Sequence, residues 1–372
     1  MASANPPLRL SVLDQSPVSQ GCAPARALAN TLDLARLADR LGYHRYWVAE
    51  HHGGPLLAGP SPEALIGPIA AATARIRVGS GGVMLPHYSP LKVAETFSVL
   101  SALFPGRIDL GIGRAAGTDP LTAFALQRDR RQAAPDDFPQ QLSELLGYLD
   151  DTLEREHPFA RLAQTLPGRP ERPQPWLLGS SPQSALWAAE LGLPYAFADF
   201  INSDGAPIAA LYRERFAAHG HAHAAQTAVG VWVICADSDE EARLLASSGR
   251  MAFTLLRRGQ LIAVPPPHEA QRFLAGEERA RTGRSAARRR AIVGEPQSVR
   301  AQLEQVLADY GAQEAIVVCI TYEHDARRRS YELLASAFEL DSSPAADLAR
   351  AEDALAGASD ADFLASGSPP RT

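Results

Sequence analysis

A closed (β/α)8 barrel of the TIM type is the fold class that this sequence predicts, and three observations carry it. Eight short apolar runs alternate with helical patterns along the chain, as parallel strands joined by crossover helices do. The chain has 372 residues, a length that such a barrel commonly fills as one domain once insertions are counted. Glycines, histidines and serines that suit a plain strand poorly gather at the strand ends, where the loops of a barrel converge. An open doubly wound sheet is the structural alternative.

The elements follow in order. "LRLSVLD" (Leu8 to Asp14) reads as the first strand, and residues 25–41 as a helix with Leu28, Leu32, Ala35 and Leu41 near helical spacing. "YWVAE" is the second strand. The helix over 61–73 opens with Ser61 as N-cap and Pro62 at its first position. "IRVGSGGVML" is the third strand, and the helix after it again begins at "SP", with Val93, Ala94, Phe97 and Leu100 on one face. "IDLGIG" is the fourth. The rhythm loosens between Arg114 and Asp136, then resumes with a helix over 138–156. "PWLLGSS" and its helix over 182–191 come fifth, "YAFADFI" sixth and "AVGVWVICA" seventh. "EAIVVCITY" is the eighth, between helices over 296–310 and 326–338.

One stretch breaks the period. Residues 249–294 are too long for an ordinary connection and predict a partly helical excursion over one barrel face, inserted before the last helix–strand unit. The arginine run within it, "ERARTGRSAARRRA", reads as a solvated helix face, or functionally as a mobile cover over the site. The barrel domain is expected over 1–340. A weakly helical to disordered tail over 341–372, rich in Ala, Ser, Asp and Pro, follows it.

Composition narrows the function classes. Apolar residues make up 46% of the chain, enough for a large core. A net charge of −6 argues against nucleic acid as a partner, since phosphate contacts need a basic face. Cys22, Cys235 and Cys319 are too few and scattered for a disulfide framework or a zinc site. The first residues hold no apolar signal segment, and no run of about 18 apolar residues occurs, so a cytoplasmic protein without a membrane partner is expected.

The strand ends carry the chemistry. Strand two ends in Glu50, His51 and His52. Adjacent histidines on a continuing strand point to opposite sides, which argues against one shared metal, and no His-Glu-x-x-His spacing is present. A single histidine facing the barrel mouth suits proton transfer, and the plain reading beside it is a structural histidine. Strand four ends in Gly111, Gly113 and Gly117, spaced G-x-G-x-x-x-G, one residue too long for a dinucleotide fingerprint. Small residues there let a planar ligand near the backbone, and Arg114 offers a forked cation for phosphate. "GSSPQS" opens a helix directly after strand five. Its free N–H groups, with the hydroxyls of Ser181 and Ser184, make an anion cradle. "GSGG" in strand three reads either as a bulge at a crowded stave or as a close approach to a flat ligand. Together these features suggest a planar, phosphorylated cofactor, and flavin mononucleotide fits.

Five segments carry a resemblance in the same order along the chain. "GYHRYWVAEHH", "IRVGSGGVMLPHYSPLKVAE", "GRIDLGIGRAAGTD", "PWLLGSSPQSALWAAELGLPYAFA" and "YGAQEAIVVCITYEHDARRRSYELLASAF" resemble the bacterial luciferase-like flavin-dependent monooxygenases. The likeness runs from about residue 8 to 338, and is greatest to single-subunit, alkanal-monooxygenase-like members. It implies His51 as the active-site histidine, supported by Glu50 and His52, and Gly81–Gly82 as a non-proline cis pair against the flavin ring. It implies Arg114, Ser181 and Ser184 on the flavin phosphate. It further implies reduced FMN and dioxygen as co-substrates, a small organic compound that receives oxygen, a separate flavin reductase and a homodimer through the helices after strands two and three. Light-emitting members carry a reactive cysteine just before that arginine; Gly113 stands here, so light emission is not expected. A deazaflavin-dependent hydride transferase and a non-catalytic partner subunit are the alternative functions on the same fold.

Overall fold

The computed structural model describes residues 8–115, 118–132, 136–280 and 291–342. The expected tail lies outside the described residues from 343 onward, as does the arginine run over 281–290.

Eight parallel strands close into a barrel: β1 (Arg9–Asp14), β2 (Arg45–Val48), β3 (Arg77–Met84), β4 (Ile108–Gly113), β5 (Gln174–Gly179), β6 (Tyr195–Ala198), β7 (Thr227–Cys235) and, past a short additional strand β8 (Ile292–Gly294), β9 (Glu314–Val318). The ring closes where β9 pairs with both β1, at Leu10↔Ala315, and β7, at Val229↔Ala315. β8 takes over alongside β7 from Val233 to Cys235, beyond the last residue paired to β9. The fold is therefore the TIM-type barrel that the sequence predicts.

Among the described residues eight principal helices cover it: α1 (Pro24–Arg40), α2 (Pro62–Ala71), α3 (Pro90–Leu103), α5 (Phe138–Asp150), α6 (Pro182–Glu190), α7 (Ala206–Ala218), α10 (Pro296–Tyr310) and α11 (His324–Ala337). A short α4 (Pro120–Leu126) interrupts the alternation between β4 and α5. The excursion is a helical pair, α8 (Asp239–Leu256) and α9 (Pro267–Ala280), with Met251 and Leu255 packed on Ala270. α8 begins ten residues before the break in period that marks the excursion in sequence, because Ser238 caps it by accepting a hydrogen bond from the Glu241 amide at 3.2 Å. Conversely, α5 stops at Asp150 rather than 156, where Asp151 takes a left-handed conformation (φ 58°). Helix α7 buries Ala209, Tyr212 and Phe216, but further apolar residues on its other faces blur that stripe, which is why periodicity misses it.

The period of two divides each strand between two environments. Leu10, Val12, Tyr46, Val48, Val229 and Val231 face outward and are buried under the helices. Leu13, Trp47, Trp176, Ala196, Ala228 and Ile316 face inward and fill the barrel. One layer below them the inward positions are ionic. Arg45 donates to Glu314 (Nε–Oε1 2.6 Å) and to Asp109 (2.7 Å), with its guanidinium 4.6 Å from the centroid of Trp176. Trp47 Nε1 and Arg77 also donate to Asp109, at 2.9 and 2.6 Å. The carboxylates and arginines thus neutralise one another where water cannot, and this polar plug closes the bottom of the barrel. A second buried pair, Arg327–Asp14 at 2.6 Å, ties α11 to the end of β1. Burial would raise the Asp14 carboxyl, but Arg327 with the hydrogen bonds of Tyr46 and Ser16 holds it below the usual carboxylate range.

Candidate active site

The open end of the barrel holds a cavity of about 450 Å³ at the C-terminal ends of the strands, within the usual size for small-molecule and cofactor sites. All four strand-end groups singled out in the sequence reach it: His51 after β2, Gly81 and Gly82 in β3, Arg114 after β4, and Ser181 and Ser184 after β5. Glu50 and His52 do not line it.

Glu50 is fully buried beside the cavity and is spoken for. It accepts from the Met84 amide at 2.8 Å and from the Tyr88 hydroxyl at 3.1 Å, and pairs with His52 Nε2 at 2.8 Å. The His52 carbonyl accepts from the Thr118 hydroxyl at 3.0 Å. These bonds lock the segment after β2 to β3 and to the β4 loop. His51 sits between them with its amide donating to the Gly59 carbonyl at 3.0 Å. Its Nδ1 is buried and has no hydrogen-bond partner. Burial, and secondarily the neighbouring His52, push its imidazole down to about 4, so the ring is neutral at pH 7, and the residue lines the cavity.

The Gly81–Gly82 peptide bond is cis. The register with β4 shifts between Gly81 and Val83, and a Cβ on Gly81 would stand 2.5 Å from Leu13 Cδ1. Gly79 has a different cause, since its Cβ would fall 2.4 Å from the Asp109 carbonyl. Gly82 is as restricted, its Cβ falling 2.7 Å from the Gly111 carbonyl, so the barrel's own packing imposes the glycines of "GSGG", and two of them, Gly81 and Gly82, also line the cavity. Gly113 shows a milder restriction: a side chain there would press on Met84 Sδ at 3.1 Å.

At the far side of the mouth, Ser181 is the N-cap of α6 and forms a capping box with Ser184. The Ser184 hydroxyl donates to the Ser181 carbonyl at 2.8 Å and meets the Tyr195 hydroxyl at 2.9 Å, which commits it to holding the turn. Ser181, more exposed, keeps its hydroxyl near the open start of the helix, where amides and the helix dipole favour an anion. Arg114 is tethered to Asp136 by a surface pair at 2.9 Å and lies with its guanidinium 5.5 Å from the Trp187 ring. Such an exposed pair contributes about 0–1 kcal/mol, so the cation can exchange Asp136 for a bound phosphate.

Sequence reasoning missed two groups. Trp187 and Phe138, a tilted pair 5.4 Å apart between centroids, wall the Arg114 side. Gln15, the residue directly after β1, lines the cavity; the strand-end rule that found His51 points to it equally.

The family model for luciferase-like monooxygenases matches residues 8–314. A luciferase-like monooxygenase of Escherichia coli K12 is 40% identical over 328 residues, covering 88% of this chain and 96% of its own. Among solved structures, apo-MsnO8 superposes with a TM-score of 0.80 at 42% identity, over 91% of this chain and 99% of that one. The oxygenating constituent of 3,6-diketocamphane monooxygenase of Pseudomonas putida, a type II Baeyer-Villiger enzyme solved with FMN, shares the fold at 21% identity and a TM-score of 0.66, over 88% of this chain and 97% of that one. The chain belongs to the luciferase-like monooxygenase family.

Proposed function

We propose that this luciferase-like monooxygenase uses reduced FMN and dioxygen to place one oxygen atom on a small organic substrate. The observation that carries the reading is the convergence on one cavity of Arg114 with the start of α6, of Gly81 and Gly82, and of His51, whose Nδ1 has no partner. The donor set fits a monophosphorylated planar group: one mobile guanidinium, one helix start and one surface without side chains. The Pseudomonas structural relative that holds FMN adds support.

When bound, the flavin supplies the electrons and the oxygen chemistry that amino-acid side chains lack. The chain supplies the rest. Arg114 and Ser181 bind the phosphate, with Ser184 holding the helix start in shape. Gly81 and Gly82 leave room for the ring. His51 Nδ1 takes a proton and returns it, while Glu50 and His52 fix the segment that aims it. Leu13, Ala49, Leu178 and Ile316 are apolar walls that keep water from the reacting groups. Reduced flavin is taken to come from a separate reductase, since the glycines of β4 do not match a nicotinamide fingerprint.

We further propose a homodimer through α2 and α3. Val99 and Leu103 on α3 are 46% and 63% exposed, and α2 presents Ala64, Pro68 and Ala71 outward, an apolar surface suited to a partner. A cytoplasmic location accords with this; no described helix is long and apolar enough to cross a membrane. The function is tested by supplying the protein with FMN, NADH, a general flavin reductase and a panel of aldehydes, ketones and thioethers. A mass gain of one oxygen in any of them supports the reading. Failure to bind FMN in either redox state overturns it.

A further inference from the structure

Gln15 is 6% exposed, yet its Oε1 is buried without any hydrogen-bond donor while the residue lines the cavity. A buried acceptor left unpaired destabilises the protein that carries it, so its retention asks for a reason.

The backbone around Gln15 is built to aim it. Ser16, a non-glycine residue, holds a left-handed conformation (φ 51°), which costs energy unless its surroundings impose it. They do. The Ser16 amide donates to Asp14 Oδ1 at 2.7 Å, its hydroxyl meets that of Thr31 at 2.8 Å, and its carbonyl accepts from the Ala58 amide at 2.9 Å. Asp14 is itself clamped by Arg327. The turn after β1 is thereby fixed on both sides of Gln15, and the side chain is directed into the barrel mouth rather than toward solvent.

We propose that Gln15 is a ligand-reading residue of this cavity, its Oε1 accepting a hydrogen bond from an uncharged N–H or O–H group of the flavin ring or of the organic substrate. An amide oxygen only accepts, so the group opposite it must donate. That donor is uncharged, because no carboxylate lies among the described lining residues to balance an ammonium in apolar walls. Gln15 and His51 follow adjacent strands, β1 and β2; both line the cavity, and each carries a buried polar atom without a partner. The ligand thus meets a pair of contacts opposite its phosphate end. The proposal rests on the reading that this cavity is the ligand site.

The test compares the parent protein with Gln15→Met, which keeps length and removes the acceptor; Gln15→Leu takes its place if the first variant does not fold. Without ligand, Tm should hold or rise, since an unsatisfied acceptor is gone. Affinity for FMN, oxidised and dithionite-reduced, is then measured, followed by binding of benzyl alcohol and benzyl methyl ether to the FMN-loaded protein. A roughly three- to tenfold loss of FMN affinity, the usual effect of one neutral hydrogen bond, assigns the donor to the flavin ring. Unchanged FMN affinity with a lost preference for the alcohol over the ether assigns it to the substrate. Gln15→Glu, which keeps an acceptor, should restore whichever binding was lost. Unchanged binding in both assays, or a fall in unliganded Tm that accounts for the loss, overturns the proposal. If the parent itself fails to bind FMN, the flavin reading fails, and the alcohol–ether comparison on the unloaded protein still judges Gln15.

Discussion

Replacing His51 by Ala tests the proposed chemistry most directly. The ring is held at about 4 by burial and by His52, so at pH 7 only about one molecule in a thousand carries a proton there before ligand binds. Its Nδ1 has no protein partner. Removing it breaks no hydrogen bond within the protein at that atom, and the Glu50–His52 pair that holds the segment is left in place. FMN affinity should accordingly change by less than about twofold, because the proposed phosphate contacts, Arg114 and Ser181, follow other strands, β4 and β5. Turnover should fall by roughly 10²- to 10⁴-fold, the range for a lost acid–base group, equivalent to about 3–5 kcal/mol of barrier. The assay is single-turnover oxygenation of a substrate found in the panel, with hydrogen peroxide measured per reduced flavin consumed. Peroxide release should rise as oxygenation falls. Normal turnover with normal coupling would make His51 a structural histidine and refute the reasoning.

The other predictions follow from neighbouring observations. Arg114→Ala should weaken FMN by ten- to hundredfold, about 1.5–3 kcal/mol for a charge-assisted bond, and leave riboflavin unaffected; equal binding of FMN and riboflavin by the parent, measured by flavin fluorescence, would remove the phosphate assignment. Leu103→Glu, at a position 63% exposed, should convert a dimer to a monomer in light scattering at micromolar concentration. A monomeric parent would end the α2–α3 proposal. Acid stability should also report on His51. Its folded value near 4 lies below the ordinary 6.5, so the unfolded chain takes up a proton that the folded one refuses, and stability present above pH 6.5 is lost as pH falls toward 4. Urea titrations at pH 7.5 and 4.5 should show His51→Gln losing roughly 2–3 kcal/mol less than the parent, and an identical loss would contradict the burial of a neutral ring.

Much of this molecule is legible along the chain because strand ends in a parallel barrel share one mouth, whatever their separation in sequence. Alternation of apolar runs with helical periodicity determined the barrel, and the residues at the run ends determined which side chains could meet: His51, Gly81, Gly82, Arg114 and Ser181 line a single cavity. Capping was legible too, since Ser181 and Pro182 mark the start of α6 by local chemistry alone.

What the sequence left open depended on partners distant along the chain. Ser184 and Ser181 look alike in "GSSPQS", but the Tyr195 hydroxyl from β6 engages only Ser184. Glu50 and His51 are adjacent and both titratable; the Met84 amide and Tyr88 hydroxyl occupy one, and burial without a partner leaves the other free. The same holds for "GSGG", where Asp109 and Leu13 from neighbouring strands decide why no side chain fits. Gln15 is the sharpest case, a polar residue like many others until Asp14, Thr31 and Ala58 fix the turn beside it. Local patterns set where the elements fall and which groups reach the mouth. Which of those groups remains uncommitted is a property of packing and hydrogen bonding between segments, and only closure of the barrel decides it.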